Sequence, residues 1–168
     1  MAAHYGVGAG SLMRIRRAVE DDIPRMIELA EERRRLYATY QPTFWRPSPK
    51  AASAQAAFFK TLIPNTANAI VLICEDADVF RGFIIAKLIE TPPVYSPGGR
   101  TCLIDDFAVT QHDWNEAGRV LLDETHRLAR VAGAIQTVVV CVHLDETKRE
   151  FLRSQGLSIA SEWFVGNL

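Results

Sequence analysis

The chain is short of several things that would each betray a class of function. It has only three cysteines, Cys74, Cys102 and Cys141, widely separated, with no C-x-x-C pair and no Cys/His cluster. That speaks against a disulfide framework and against a metal site of ordinary spacing, so no metal is expected. Free cysteines suit a reducing compartment, and a cytoplasmic protein is expected. Neither sign of charge is in excess: Lys and Arg number 19, Asp and Glu 20, and the formal net charge is −1. A protein built mainly to hold nucleic acid carries a basic face and a high pI, so no nucleic-acid partner is expected. No stretch approaches the ~18 uninterrupted apolar residues of a membrane span, so no membrane partner is expected either. Met1–Leu12 is small and Gly-rich, without the apolar run of a secretory signal, and reads as a flexible extension ahead of a second methionine, Met13. There is no internal repeat and no low-complexity segment.

What is present fits one domain over residues 13–168. A chain of 168 residues buries roughly 70% of the surface that its unfolded form exposes, enough for a core without staples. From Met13 onward, strand and helix signals alternate. Arg14–Ala18 is short and extended. Asp21, Asp22 and Pro24 mark a helix start, with acidic residues near the positive end and proline in the first turn. Ile23, Met26, Ile27, Ala30 and Tyr37 share a helical face, which carries the helix to about Ala38. Tyr40–Pro49 holds three prolines among aromatics and cannot be regular helix. A second helix is expected over Lys50–Ile63, and strands over Ala69–Cys74 and Phe80–Ile89, joined by a turn at Glu75–Asp78. After a Pro/Gly loop come a strand at Thr101–Val109, a helix at Trp114–Ala132 ended by Gly133, and the β-branched run Ile135–Val142. That run reads as a strand covered on both faces. A helix over Glu146–Gln155, closed by Gly156, and a final strand at Ser158–Val165 complete the chain. The expected class is α/β: a mixed central sheet with helices on both faces.

Three stretches, in this order, resemble the GNAT superfamily of acyl-CoA-dependent acyltransferases. Ile15-Arg16-Arg17-Ala18 with Asp21-Asp22-Ile23-Pro24 is similar to that family's first strand and helix entry. Ile104-Asp105-Asp106-Phe107-Ala108-Val109 is similar to its fourth strand, I-E-D-L-x-V. Phe151 to Leu157 is similar to its closing F-Y-x-x-x-G-F. The resemblance implies an N-acetyltransferase that moves an acetyl group from acetyl-CoA to a primary amine of a small molecule or protein by direct attack. The alternative is a non-catalytic binding or regulatory module on the same fold.

The resemblance also implies roles for single residues. Phe107 and Val109 would bind the pantetheine arm through their backbone. Asn115, Ala117, Gly118 and Arg119 would face the pyrophosphate, where glycines and a helix N-terminus let N–H groups approach. The family reads Q/R-x-x-G-x-G/A here. This chain reads Asp113-Trp114-Asn115-Glu116-Ala117-Gly118, with two carboxylates where a phosphate would prefer none. Asp113 also reads as an N-cap with Glu116 completing a capping box. Asp145 stands for a frequent asparagine and either holds the pantetheine arm or caps the next helix. The family's tyrosine acid falls at Leu152.

An ammonium of pKa about 10.4 must lose its proton before it attacks a thioester. The family's base position is Asp105. Strict strand alternation puts Leu103, Asp105, Phe107 and Val109 on one face and Cys102, Ile104, Asp106 and Ala108 on the other. Only Asp105 would then face the cleft, and Asp106 would be structural. His143 is a candidate acid, or a solvent-facing histidine. Tyr37, Tyr40, Phe44 and Trp45 are candidates for an acceptor pocket, or for core or a homodimer surface. Arg33, Arg34 and Arg35 read as a solvated charge run.

Overall fold

In the computed structural model the described residues are 3–7 and 11–168, with side chains from Met13 onward. Six strands form one sheet in the order of the chain: β1 (Ala3–Val7), β2 (Ser11–Arg17), β3 (Ala69–Asp76), β4 (Val79–Ile89), β5 (Arg100–Val109) and β6 (Ala134–Val139). Neighbours are antiparallel except β5 and β6, which run parallel. Four helices complete the fold: α1 (Ile23–Tyr40), α2 (Ala51–Leu62), α3 (Arg119–Val131) and α4 (Glu146–Ser154). The segment read from sequence as an extension thus contains β1, paired with β2 from Ala3↔Ile15 to Val7↔Ser11.

Alternation along β3 explains the two-layered core. Ile70, Leu72 and Cys74 join Val120 and Leu121 of α3 and Phe151 and Leu152 of α4 in one cluster. Ala69, Val71 and Ile73 face the other way, onto Ile23, Met26 and Leu29 of α1 and Phe59 and Leu62 of α2. A strand apolar at every position is therefore the middle layer of an α/β/α sandwich.

β2 hands over to α1 through an ion network. Asp22, 1% exposed, takes Arg16 bidentately at 2.7 and 2.9 Å, Arg25 at 2.6 Å and the Val19 N–H at 2.8 Å. Glu75 of β3 accepts from the same two arginines.

The structure corrects two expectations at the far edge of the sheet. Ile135 is 52% exposed and Val138 40%, so the apolar run of β6 is not covered on both faces. Ser158–Val165 forms no strand; Trp163 is 85% exposed and meets the Phe44 ring edge-on, ring centroids 6.3 Å apart. The two departures have one cause. Without a strand from that segment, β6 is the last strand of the sheet, and its Ile135 and Val138 face solvent.

Candidate active site

The site begins where two parallel strands part. β5 and β6 pair from Arg100↔Ala134 to Ile104↔Val139, and the Val140 N–H still reaches the Ile104 carbonyl at 2.8 Å. β5 then continues to Val109 without a partner on that side, so the strands open a gap at their C-terminal ends. In open α/β sheets this is where ligands bind.

A bulge arms the gap. Opposite β4, Ile85 pairs with Asp106 and Ala86 with Ile104, which leaves Asp105 as an extra residue. Alternation therefore slips by one. Cys102 and Ile104 before the bulge share the α3 face with Phe107 and Val109 after it, while Ala108 joins the α1/α2 face. The strict alternation expected from sequence is overturned, and with it the separation of the two aspartates. Asp105 and Asp106 both line one cavity of about 200 Å³ beneath α1, together with Tyr37 and Trp45.

The two carboxylates differ in company. Asp105 pairs with Lys87 of β4 at 2.5 Å through one oxygen, while its Oδ1 is shut off from water and has no hydrogen-bond partner. Asp106 accepts one bond, from Gln55 Nε2 of α2 at 3.1 Å, and Gln55 is itself oriented by Arg34 at 2.5 Å. Burial raises the Asp106 carboxyl, the Asp105 charge raises it further, and the result is a pKa of about 6, against the weaker pull of Lys148, Arg34 and Lys87.

Two cations occupy the gap. Lys148 of α4 is 3% exposed. Its ammonium donates to the Phe107 carbonyl at 3.1 Å and lies over the rings of Phe107 and Trp114 at 5.5 and 5.6 Å. Burial lowers its pKa. Arg33 of α1, also buried, donates to the Val109 carbonyl at 3.0 Å and stacks on Trp114. The carbonyls expected to meet a pantetheine arm thus do face the gap, and each is held by a side chain of the protein. The run Arg33–Arg35 is not simply a solvated face: only Arg35 is fully exposed.

Asp145 caps α4 through the Lys148 N–H and accepts from the Tyr37 hydroxyl at 3.1 Å. Burial, and then the neighbouring Asp145 charge, push the Tyr37 hydroxyl well above its usual range. Tyr40 packs on Tyr37, and Phe44 on Trp45, at the mouth of the cavity. His143 is exposed and lies outside the cavity lining.

The loop after β5 departs from the capping box expected at Asp113 and Glu116. The Asp113 side chain caps nothing and pairs with Arg81 of β4 at 2.6 Å, while Glu116 is exposed. Trp114–Gly118 forms a π-helical turn into α3. There the Gly118 N–H bonds to the Asp113 carbonyl, and the Arg119 N–H to those of Glu116 and Trp114. Two of the expected phosphate donors are therefore satisfied within the turn. Gly118 has a packing reason of its own, since a Cβ there would stand 3.0 Å from the Trp114 ring. Asn115 is exposed at the start of the turn, and Ala117 is buried. The Arg119 side chain only loosely meets Asp123, at 3.6 Å.

Lys148 and Gln55 were missed from sequence. Lys148 had a signal: it stands three and four residues before Phe151 and Leu152, on the buried face of α4. Gln55 had none.

No protein-family model matches the sequence, and no curated protein does. Solved structures do match. A protein from Bacillus halodurans superposes with a TM-score of 0.79 at 14% identity, covering 92% of this chain and 98% of that one. A predicted acetyltransferase from Clostridium acetobutylicum, solved with acetyl-CoA, gives 0.71 at 17% identity, covering 92% and 96%. An aminoglycoside acetyltransferase from an uncultured soil metagenomic sample, solved with sisomicin, gives 0.61 at 21%, covering 93% and 96%. The chain has the GNAT fold. In GNAT terms, β5 is the strand that carries I-D-D-F-A-V, and the gap between β5 and β6 is the cleft of the fold. Among the described residues no helix is long and apolar enough to cross a membrane, and no group of side chains could hold a metal.

Proposed function

We propose that the protein is an acyl-CoA-dependent N-acetyltransferase acting by direct attack, with Asp106 rather than Asp105 as the base. The observation that carries this reading is the bulge at Asp105. It brings a second carboxylate into the cleft and leaves Asp106 with a pKa of about 6. A base with such a pKa is ionised at neutral pH yet basic enough to take a proton from an ammonium near its own charge. Asp105, fixed by Lys87, raises the basicity of its neighbour.

In this reading the ammonium delivers its proton to Asp106, directly or through one water. The nitrogen then attacks the thioester carbonyl, the C–S bond breaks, and coenzyme A leaves as thiolate. A thiol pKa near 8.5 lets water reprotonate it, so no dedicated acid is needed at Leu152 or His143. The Phe107 and Val109 carbonyls fit the amides of a pantetheine arm, provided that Lys148 and Arg33 swing aside. The pyrophosphate would lie at the π-helical turn, at Asn115 to Ala117, against the exposed Glu116 carboxylate and with Arg119 at its edge. Tyr37 and Trp45 wall the acceptor side, with Tyr40 and Phe44 behind them.

A non-catalytic module is the second reading. Lys148 and Arg33 on the two carbonyls favour it, because they fill the place of the arm. Calorimetry with acetyl-CoA separates the two readings, and thiol release with a simple amine completes the test. The transferase reading expects binding, turnover, and a loss in kcat/KM of roughly 10²–10⁴ in Asp106→Asn. Asp105→Asn should lose less, about tenfold. Absence of acetyl-CoA binding by the folded protein would overturn the transferase reading.

A further inference from the structure

The acetyl-transfer reading leaves open what carries the amine. The charges around the cavity of Asp106 bear on that question. Five charge-bearing side chains line it: Arg33, Arg34, Lys148, Asp105 and Asp106. Two of them are matched. Arg34 pairs with Glu31 of its own helix, and Asp105 with Lys87 of β4. What remains is Arg33 and Lys148 against Asp106 alone.

Those two cations are poorly compensated. They are 6% and 3% exposed, yet among the described residues neither forms an ion pair. Each donates to a backbone carbonyl, Arg33 to Val109 and Lys148 to Phe107, and both lie over the Trp114 ring. Arg33 Nε is shut off from water and has no acceptor. Carbonyls and rings offer partial charges and do not neutralise a cation. Burying a cation is costly unless an anion meets it. Two such cations on one cavity make a place for an anion.

The donor does not supply that anion. In the transferase reading the pantetheine arm takes the Phe107 and Val109 carbonyls with neutral amides, and the pyrophosphate lies at the π turn. The arm displaces Arg33 and Lys148 from their only hydrogen-bond acceptors and leaves them facing the cavity. An acceptor that brought nothing but an ammonium would add a third cation to a space with one unmatched carboxylate.

We propose that the acceptor brings its own anion: it is a free amino acid, with its ammonium at Asp106 and its carboxylate between Arg33 and Lys148. This rests on the transferase reading. Of the ammonium's three protons, one goes to Asp106, one leaves with the thiolate, and one stays on the new amide nitrogen; the carboxylate remains ionised throughout. The amino terminus of a polypeptide is a poor substitute, because its carboxyl carbon is tied up in a neutral peptide bond.

The test is acetyl-CoA thiol release by the full chain with glycine, β-alanine, leucine and phenylalanine, each against its primary amide. The amide keeps the size and removes the charge. In at least one pair the acid should exceed the amide in kcat/KM by roughly tenfold to a hundredfold, the range of a charge-assisted contact. Lys148→Met and Arg33→Met should each cut that preference on the order of tenfold. Arg35→Met, which removes a neighbouring but exposed charge, should keep it. Should the two cleft variants fail to fold, calorimetry on the wild type decides. The preferred amino acid should bind about fivefold tighter when coenzyme A is already bound, since the arm frees both cations. Amides that match or exceed their acids would overturn the proposal and leave the transferase reading intact. So would an acid preference that survives both substitutions, or amino-acid binding indifferent to coenzyme A. No acetyl-CoA binding and no thiol release with any acid or amide would remove both readings together.

Discussion

Asp22 with Glu75, at the elbow after β2, and Asp105 with Asp106, on β5, are both pairs of acidic residues set at the sheet among arginines and lysines. The first pair is saturated. Arg16 and Arg25 bridge both carboxylates, and the Val19 N–H adds a further donor to Asp22. Burial pushes the Asp22 carboxyl up, but these partners outweigh burial and hold it below its ordinary value. The second pair is starved. It has one lysine and one glutamine amide between four oxygens, and burial with like charge pushes Asp106 up to about 6. A carboxylate is thus a structural rivet in one place and, in the proposed reaction, a proton acceptor in the other. The number of donors that reach it decides which.

The comparison can be broken first at the elbow. Asp22→Asn should cost about 2 kcal/mol at neutral pH, since it strips two arginines of a buried partner while leaving them partly solvated. A depressed carboxyl contributes stability that is present above the unfolded pKa and lost as pH falls through the folded one. The difference between variant and wild type should therefore shrink below pH ~4, as followed by urea denaturation.

The opposite sign is expected in the cleft. A raised carboxyl contributes stability that is full below the unfolded pKa and lost as pH rises through the folded value. Asp106→Asn keeps the neutral state at every pH, so it should match wild type near pH 4. Above pH 6 it should be more stable by roughly 1–2 kcal/mol, a figure discounted because the group is only partly buried. A catalytic variant that is more stable than its parent would be the mark of a site held in an unfavourable charge state.

A smaller effect sharpens the role of the cleft cations. Lys148→Met keeps the shape of the side chain and frees the Phe107 carbonyl. It should tighten acetyl-CoA by roughly threefold to tenfold in calorimetry, with little change in stability, because a buried charge is replaced by an apolar group of similar volume. Weaker binding would mean that the ammonium holds the ligand rather than its place.

Much of the fold was legible in the sequence because local signals and long-range packing agree there. Pro24 opens α1, Pro64 and Asn65 follow α2, Gly133 closes α3 at a φ of 84°, and the apolar run of β3 marks the centre of the sheet. What was not legible depends on partners distant in the chain. The bulge at Asp105 has no glycine or proline to announce it and exists only in the register with β4. It reverses which face Asp106, Phe107 and Ala108 occupy. The exposure of β6 depends on whether Ser158–Val165 pairs with it, which composition cannot say. Trp114 was read as a helix start, yet its ring packs between Phe107 and Phe151, at 5.0 and 5.5 Å. That packing explains both the π turn and the need for glycine at 118.

The central claim is that Asp106, raised by burial and by Asp105, takes the proton of the attacking amine. The most direct measurement is the pH dependence of kcat/KM for acetyl transfer to a simple primary amine, in wild type and in Asp105→Asn. The account predicts an acid limb with a midpoint near pH 6 in the wild type, moving to lower pH when the Asp105 charge is removed. A limb that stays in place in Asp105→Asn, or a wild-type midpoint at the ordinary carboxylate value near 4, would contradict it.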